Sequence, residues 1–293
     1  MIIVKLMGGL GNQMFQYAAG RRLALLHQTE LKLDLNWFAR ISPVITSRKY
    51  ELGAYPIQAT VASAEDMRTI MPTKLPAILS RLIVQLLPRR MHRYVVERQY
   101  RFDPDILSLP DDVYLDGYWQ CPNYFDDIAD TIRDEFTLRT EPGPKNHQLA
   151  EEIMRTESVS IHIRRGDYVS HPAHRRLYAS CSREYYQSAA EMIAGRVRQP
   201  NYFIFSDDPD WVRKNVTSIN PVRFVDHNGP DRACEDMRLM SCCKHHIIAN
   251  SSFSWWGAWL SHNTDKIVIA PANWFRDEKL STRDLIPRQW IQL

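Results

Sequence analysis

No stretch of the chain reaches the roughly 18 consecutive apolar residues that a membrane-spanning helix requires. Charge of one sign is not in excess either. The chain carries 37 basic and 34 acidic residues, a net charge of +3, which is too small to argue for a nucleic-acid partner. Cysteine is sparse and irregular: Cys121, Cys181, Cys234, Cys242 and Cys243 form no C-x-x-C pair, and an odd five cannot all pair into a disulfide framework. His171, His174, His245 and His246 make no convincing ligand set with those cysteines, so no metal site is expected. Internal repeats and low-complexity tracts are missing. The chain opens on an apolar strand, with no basic-then-apolar leader before it. These absences together predict a reduced, cytoplasmic protein.

What is present predicts a packed globular chain, because 44% of the residues are hydrophobic and only 24% charged. A length of 293 residues suggests about two domains. The clearest break is Glu141-Pro142-Gly143-Pro144-Lys145-Asn146, where two prolines flank a glycine. It predicts an N-terminal domain of residues 1–143 and a C-terminal domain of residues 144–293, with the last segment packing back on the first domain.

Strands are expected at residues 2–6, 30–35 and 113–119 of the first half, and helices at 15–26, 77–87 and 124–136. The second half alternates more cleanly. Strands near 159–164, 202–205, 222–225, 246–249 and 266–270 are separated by helices at 147–155, 182–194, 235–243 and 253–260. Alternation of this kind predicts α/β architecture with parallel βαβ units, in which ligands gather at the carboxyl ends of the strands. The stretch from Ala77 to Arg93 mixes Leu and Ile with Arg81, Arg89, Arg90 and Arg93. It reads as an amphipathic surface helix, with peripheral membrane contact as the alternative.

Three polar clusters fall at predicted strand ends. His162-Ile163-Arg164-Arg165-Gly166-Asp167-Tyr168 closes one strand with an imidazole and two adjacent guanidiniums, a group suited to phosphate oxygens. The alternative is an arginine pair bonded to Asp167 and other carboxylates. Asn250-Ser251-Ser252-Phe253 opens a helix, whose N–H groups and dipole attract anions; simple capping is the other reading. Asp207 ends a third strand. A carboxylate beside a phosphate is repulsive, so Asp207 is expected to face elsewhere, toward ribose hydroxyls or a guanine edge, or to cap the next helix. Near the start, Gly8-Gly9-Leu10-Gly11-Asn12-Gln13 lacks the third glycine of a dinucleotide loop, although Asp34 stands where a ribose-binding acid could be. The two acid-proline-acid triplets, Asp103-Pro104-Asp105 and Asp208-Pro209-Asp210, read as turns. Trp255, Trp256 and Trp259 read as core or cleft wall.

The glycine loop, the His162–Tyr168 heptad, Phe205-Ser206-Asp207-Asp208 and the run from His245 to Ala258 occur in that order over most of the chain. Together they resemble the bacterial α-1,2-fucosyltransferases of glycosyltransferase family 11. The resemblance implies a GT-B architecture, two Rossmann-like domains facing across a cleft. It implies inverting, metal-independent transfer of L-fucose from GDP-β-L-fucose to the 2-hydroxyl of a terminal galactose on an oligosaccharide. No cofactor is implied, because GDP-fucose is a substrate. It further implies donor binding by His162, Arg164, Arg165, Asp207, Ser251, Ser252, Phe253, Gly9 and Gly11, with Arg164 and Asn12 catalytic. The base stays open among Asp167, an acid of the first domain such as Asp34 or Asp116, and none at all. The expected place of action is the cytoplasm or the inner face of the membrane. Two other classes stay open on the residues alone: a non-catalytic nucleotide-binding module, and an NAD-dependent oxidoreductase using the first glycine loop.

Overall fold

The structure, a computed structural model, describes residues 1–39, 48–70, 92–216, 219–277, 280 and 282–293, with the backbone alone at 167, 170 and 172–174. The chain divides into two compact units. One comprises Met1–Phe136 with Ser281–Leu285, the other Thr137–Leu280 with Ile286–Leu293. The amphipathic stretch expected from Ala77 to Arg93 lies almost wholly outside the described residues.

In the first unit the strands are β1 (Ile2–Lys5), β2 (Leu31–Asp34), β3 (Thr60–Val61), β4 (Tyr94–Val96) and β5 (Val113–Asp116). They form a parallel sheet in the order β3-β2-β1-β5-β4. Ile2, Ile3 and Val4 are fully buried, as expected of a central parallel strand covered on both faces. The helix Leu10–His27 follows β1 at once. It begins five residues before the expected Phe15, because the Gly9 carbonyl accepts the N–H groups of both Asn12 and Gln13 and starts the helix on the glycine loop itself. Only Gly8 in that loop takes a left-handed backbone, at φ +78°. The expected helix over 124–136 is shorter: 3₁₀ turns at Pro122–Tyr124 and Asp126–Ile128 precede the helix Ala129–Glu135.

The second unit holds β6 (Glu157–Ile163), β7 (Pro200–Ser206), β8 (Val222–Val225), β9 (His245–Ile247), β10 (Val268–Ala270) and β11 (Ile291–Gln292). Their order is β11-β10-β9-β6-β7-β8, again parallel throughout. Alternation along β6 and β7 builds two cores. Val159, Ile161, Ile163, Tyr202 and Ile204 pack with Ile193 of the helix Arg183–Ala194 and Val212 of the helix Pro209–Asn215. Phe203 and Phe205 pack on the other face with Ile153 of the helix Pro144–Arg155 and Leu239 and Met240 of the helix Ala233–Cys242. Trp255, Trp256 and Trp259 are core residues of the helix Ser252–Leu260.

The domain boundary differs from the one read at residue 143. The division falls between Phe136 and Thr137. Pro142-Gly143-Pro144 is the start of an element of the second unit, with Gly143 at the N-cap of the helix Pro144–Arg155 and Pro144 in its first turn. Proline is tolerated there because that N–H would have no partner within the helix. Near the C-terminus, the Asp284 carboxylate accepts the Phe102 N–H at 3.0 Å within the first unit, while Ile291–Gln292 extends the second sheet.

Candidate functional site

In the second sheet the chain runs outward from β6 through β7 to β8, then returns to place β9 on the other flank of β6. The order therefore reverses between β6 and β9, and ligands bind such sheets at the carboxyl ends of the strands flanking the reversal. Two of the three predicted clusters are at that point. Arg164 leaves β6, and Ser251-Ser252 leads from β9 into the helix Ser252–Leu260. The loops are stitched together. The Tyr168 hydroxyl donates to the Asn250 carbonyl at 2.9 Å, and the His162 ring contacts the Phe253 ring with centroids 5.4 Å apart.

Asn250 is fully buried and holds this corner. Its amide nitrogen donates to the Ala179 carbonyl at 2.6 Å and to the Trp274 carbonyl at 2.8 Å. Ser251 occupies the N-cap position, yet its hydroxyl makes no capping hydrogen bond. The simple-capping reading of this serine is thereby corrected. The chain enters the helix with Asn250 committed to backbone carbonyls, and the positive end of the helix dipole stands after β9, the strand that pairs with β6.

Arg164 and Arg165 do not form a joint clamp. The Arg164 Nη1 is 2.8 Å from the Asp207 Oδ2, and its guanidinium carbon lies 5.6 Å from the Tyr168 ring centre. Arg165 turns the other way, as successive residues leaving a strand do. Its Nε donates to Asp208 at 3.3 Å, and its guanidinium lies 3.8 Å over the Trp211 ring. Arg165 is thus occupied by packing and charge pairing. The expectation that Asp207 faces away is corrected as well. The β6–β7 register pairs Ile163 with Ser206, which sets the next residues, Arg164 and Asp207, side by side. Asp207 contacts Arg164 through Oδ2 and accepts the Arg165 N–H through Oδ1 at 2.9 Å. It orients the turn. Gly166 leaves room for it: a β-carbon there would lie 3.1 Å from the Asp207 Cγ and closer still to Oδ2.

His162 is buried, with its Nδ1 lacking a hydrogen-bond partner among the described residues. Burial, reinforced by the Arg164 charge, lowers its pKa to about 3, so the ring is neutral at physiological pH. The Asp167 side chain lies outside the described residues. Asp208 caps the helix Pro209–Asn215 by accepting the Trp211 N–H, and Asp103 accepts the Asp105 N–H, so both acid-proline-acid triplets start helical turns.

The first sheet has its own reversal, between β1 and β5. The glycine loop leaves β1 there. Gln13, fully buried, donates to the carbonyls of Gly8 and Lys49 at 3.0 and 2.9 Å. Gly9 and Gly11 flank Leu10 where the helix starts. Asn12 accepts a hydrogen bond from the Gln120 amide at 2.8 Å, joining the glycine loop to the segment after β5. Asp34 is spent on structure. It accepts the Tyr114 hydroxyl at 2.6 Å and the Asn36 N–H at 2.9 Å. Asp116 is likewise held, by Lys5 at 2.9 Å and the Tyr94 hydroxyl at 2.6 Å. Sequence reasoning missed Tyr168, Trp211 and Gln120. Tyr168 lay in the quoted heptad, whereas Trp211, in the helix after β7, and Gln120, after β5, lay in no quoted motif.

Comparison with known proteins agrees with this geometry. Residues 81–293 match the family described as Glycosyl transferase family 11. The Escherichia coli alpha-1,2-colitosyltransferase is 33% identical over 100% of this chain and 98% of its own length. The Escherichia coli O-antigen biosynthesis glycosyltransferase WbnK is 32% identical over 98% and 99%. The galactoside alpha-(1,2)-fucosyltransferase 1 of Saimiri boliviensis boliviensis is 24% identical over 90% of this chain and 66% of its own. Among solved structures, NodZ alpha-1,6-fucosyltransferase co-crystallised with GDP superposes with a TM-score of 0.52 at 15% identity, over 87% of this chain and 90% of that one. The two parallel α/β units are those of the GT-B fold class. The chain belongs to glycosyl transferase family 11.

Proposed function

We propose that the protein transfers L-fucose from GDP-β-L-fucose to the 2-hydroxyl of a terminal galactose on an oligosaccharide, with inversion at the anomeric carbon and without a metal ion. The observation that carries this reading is the convergence of Arg164 and the N-terminus of the helix Ser252–Leu260 on one switch point of the second sheet. Negative charge builds on the β-phosphate as the glycosidic bond breaks. Arg164, held by Asp207, and the N–H groups of the Ser251–Ser252 turn meet that charge. His162 and Phe253 line the same corner as neutral groups, and Arg165 and Asp207 act by positioning the turn. At the β1–β5 reversal of the first sheet, Gly9 and Gly11 offer backbone and Asn12 a neutral amide. We place the reaction in the cytoplasm or at the inner face of the membrane. The five cysteines are free thiols, and no helix among the described residues is long and apolar enough to cross a bilayer.

The second reading is a closely related donor. A bacterial relative is an alpha-1,2-colitosyltransferase, and colitose is fucose without its 3-hydroxyl. Incubation of the purified chain with GDP-fucose or GDP-colitose and a panel of β-galactosides, followed by linkage analysis, decides both questions. The expected product is an α-1,2-fucosylated galactoside. Transfer from GDP-colitose alone would replace the donor, and release of no GDP with any galactoside would reject transfer.

A further inference from the structure

Arg164 and the helix Ser252–Leu260 follow different strands of the second sheet, β6 and β9, and their spacing is set by side-chain contacts. Tyr168 is a residue that touches both. The helix Gly166–Ser170 starts just past Arg164, and the Val169 N–H bonds to the Arg165 carbonyl at 2.9 Å. Side chains four residues apart share one side of such a turn, so Tyr168 folds back toward Arg164. The Arg164 guanidinium carbon lies 5.6 Å from the Tyr168 ring centre, within the range of a cation–π contact. The phenolic end of the same ring meets the other partner. Its hydroxyl donates to the Asn250 carbonyl at 2.9 Å, one residue before Ser251 at the helix N-cap. Tyr168 is buried, so water does not simply replace either contact when it is lost.

The ring is itself braced within the second unit. Tyr178 stacks on it with centroids 4.5 Å apart and planes within 2°, and Tyr178 meets Phe275 at 5.6 Å. Tyr178 and Phe275 are joined by an antiparallel bridge. Arg276 closes that bridge, its N–H donating to the Leu177 carbonyl and its Nε to the Tyr178 carbonyl, both at 2.9 Å. Asn250 reaches the same two segments through its side-chain amide, which donates to the Ala179 and Trp274 carbonyls. Asn250 thus receives Tyr168 on its carbonyl and holds the segments that carry the stack with its side chain. A phenylalanine at 168 would fill the same stack. Only the hydroxyl ties the ring to the entrance of the helix.

We propose that Tyr168 is a positioning residue of the transfer reaction, fixing Arg164 against the N-terminus of the helix Ser252–Leu260 so that both meet the same β-phosphate. This rests on the glycosyl transfer proposed above and on the role given there to Arg164. Tyr168 touches no reacting atom and acts through the arginine. Asp207 holds the guanidinium by charge; Tyr168 holds the loop that carries it at a set distance from Ser251. Without the hydroxyl, Arg164 keeps its carboxylate partner and loses its fixed spacing from the helix.

The experiment is a double-mutant cycle read in kcat, acceptor KM and GDP affinity. It uses the full chain, Tyr168→Phe and Tyr168→Leu, each also in the Arg164→Ala background, with enzyme raised in proportion to the slower rates and every assay run below the unfolding range. Tyr168→Phe should lower kcat about three- to tenfold, the loss of one neutral hydrogen bond. Acceptor KM and GDP affinity should stay within twofold, because the contact matters as charge builds on the leaving group. Tyr168→Leu, which also loses the ring contact, should fall roughly another threefold or more. In Arg164→Ala both substitutions should be silent, with kcat within twofold of Arg164→Ala alone. A merely structural tyrosine would cost the same factor in both backgrounds. That result, or an unchanged kcat in Tyr168→Phe, overturns the role; if Tyr168→Leu fails to fold, the Tyr168→Phe pair decides alone. If the wild type transfers no sugar, or Arg164→Ala keeps its full kcat, the underlying reading falls and this role with it. A large loss in Arg164→Ala with equal Tyr168→Phe losses in both backgrounds rejects Tyr168 alone.

Discussion

Gly166→Ala is a clean probe of how Arg164 is held. The backbone at Gly166 lies outside the left-handed region and begins the helix Gly166–Ser170, so alanine is conformationally acceptable and favours the helix by up to about 1 kcal/mol. The three atoms nearest the new methyl group all belong to Asp207, and it displaces the carboxylate. Two charge-assisted contacts go with it, to Arg164 at 2.8 Å and to the Arg165 N–H at 2.9 Å. Contacts of this kind contribute roughly 1.5–3 kcal/mol each when dry. Arg164 and Asp207 are 20% and 25% exposed, so about 2 kcal/mol for the pair is the discounted figure. Net of helix propensity, Gly166→Ala should destabilise by about 1 kcal/mol, a fall in Tm of roughly 2–4 °C. The assay is thermal unfolding of wild type, Gly166→Ala, Asp207→Ala and the double variant. In the Asp207→Ala background the obstruction is gone, and Gly166→Ala should become neutral or stabilising. An equal loss in both backgrounds would refute the reasoning, because the penalty would then have nothing to do with Asp207.

Other outcomes follow from the same geometry. Arg164→Ala should lower kcat by about 10²–10³ with the fold retained, whereas Arg165→Ala should change GDP affinity less than threefold and mainly loosen packing on Trp211; calorimetry and steady-state rates on both variants separate the two arginines. Transfer activity should survive EDTA with less than a twofold loss, and a tenfold loss restored by a divalent cation would reject the metal-independent reading. Burial, with a contribution from Glu235, raises the Asp236 carboxyl to about 6. A folded-state acid pKa above the unfolded one means stability is highest below about 4 and falls as pH rises through 6. Asp236→Asn should therefore raise Tm at pH 8, by no more than about 3 kcal/mol of stability, and leave it nearly unchanged at pH 4; an equal gain at both pH values would contradict that assignment.

Much of the second unit was legible because its strands and helices are long enough to show their periods. The expected strand at Val222–Val225 has the observed bounds, and the helix at residues 182–194 differs by one residue. The first unit was harder. Thr60–Val61 and Tyr94–Val96 are too short to display alternation, and they are recognised only by their pairing with β2 and β5. At the site, the sequence marked Arg164, Asp207 and Ser251 correctly as strand-end residues. It could not supply the β6–β7 register, and so it turned Asp207 away from the arginines it contacts.

The first unit closes with residues from the far end of the polypeptide. Thr282 to Leu285 belong to it, and Asp284 fastens the Phe102 amide. During synthesis, then, the amino-terminal half cannot finish assembling as soon as it leaves the ribosome, unlike a domain that folds in order of emergence. It must wait until residues 282–285 have been made. A nascent chain stalled before residue 282 should display a protease-sensitive leading half, and trimming the carboxyl terminus should injure the half that was made first.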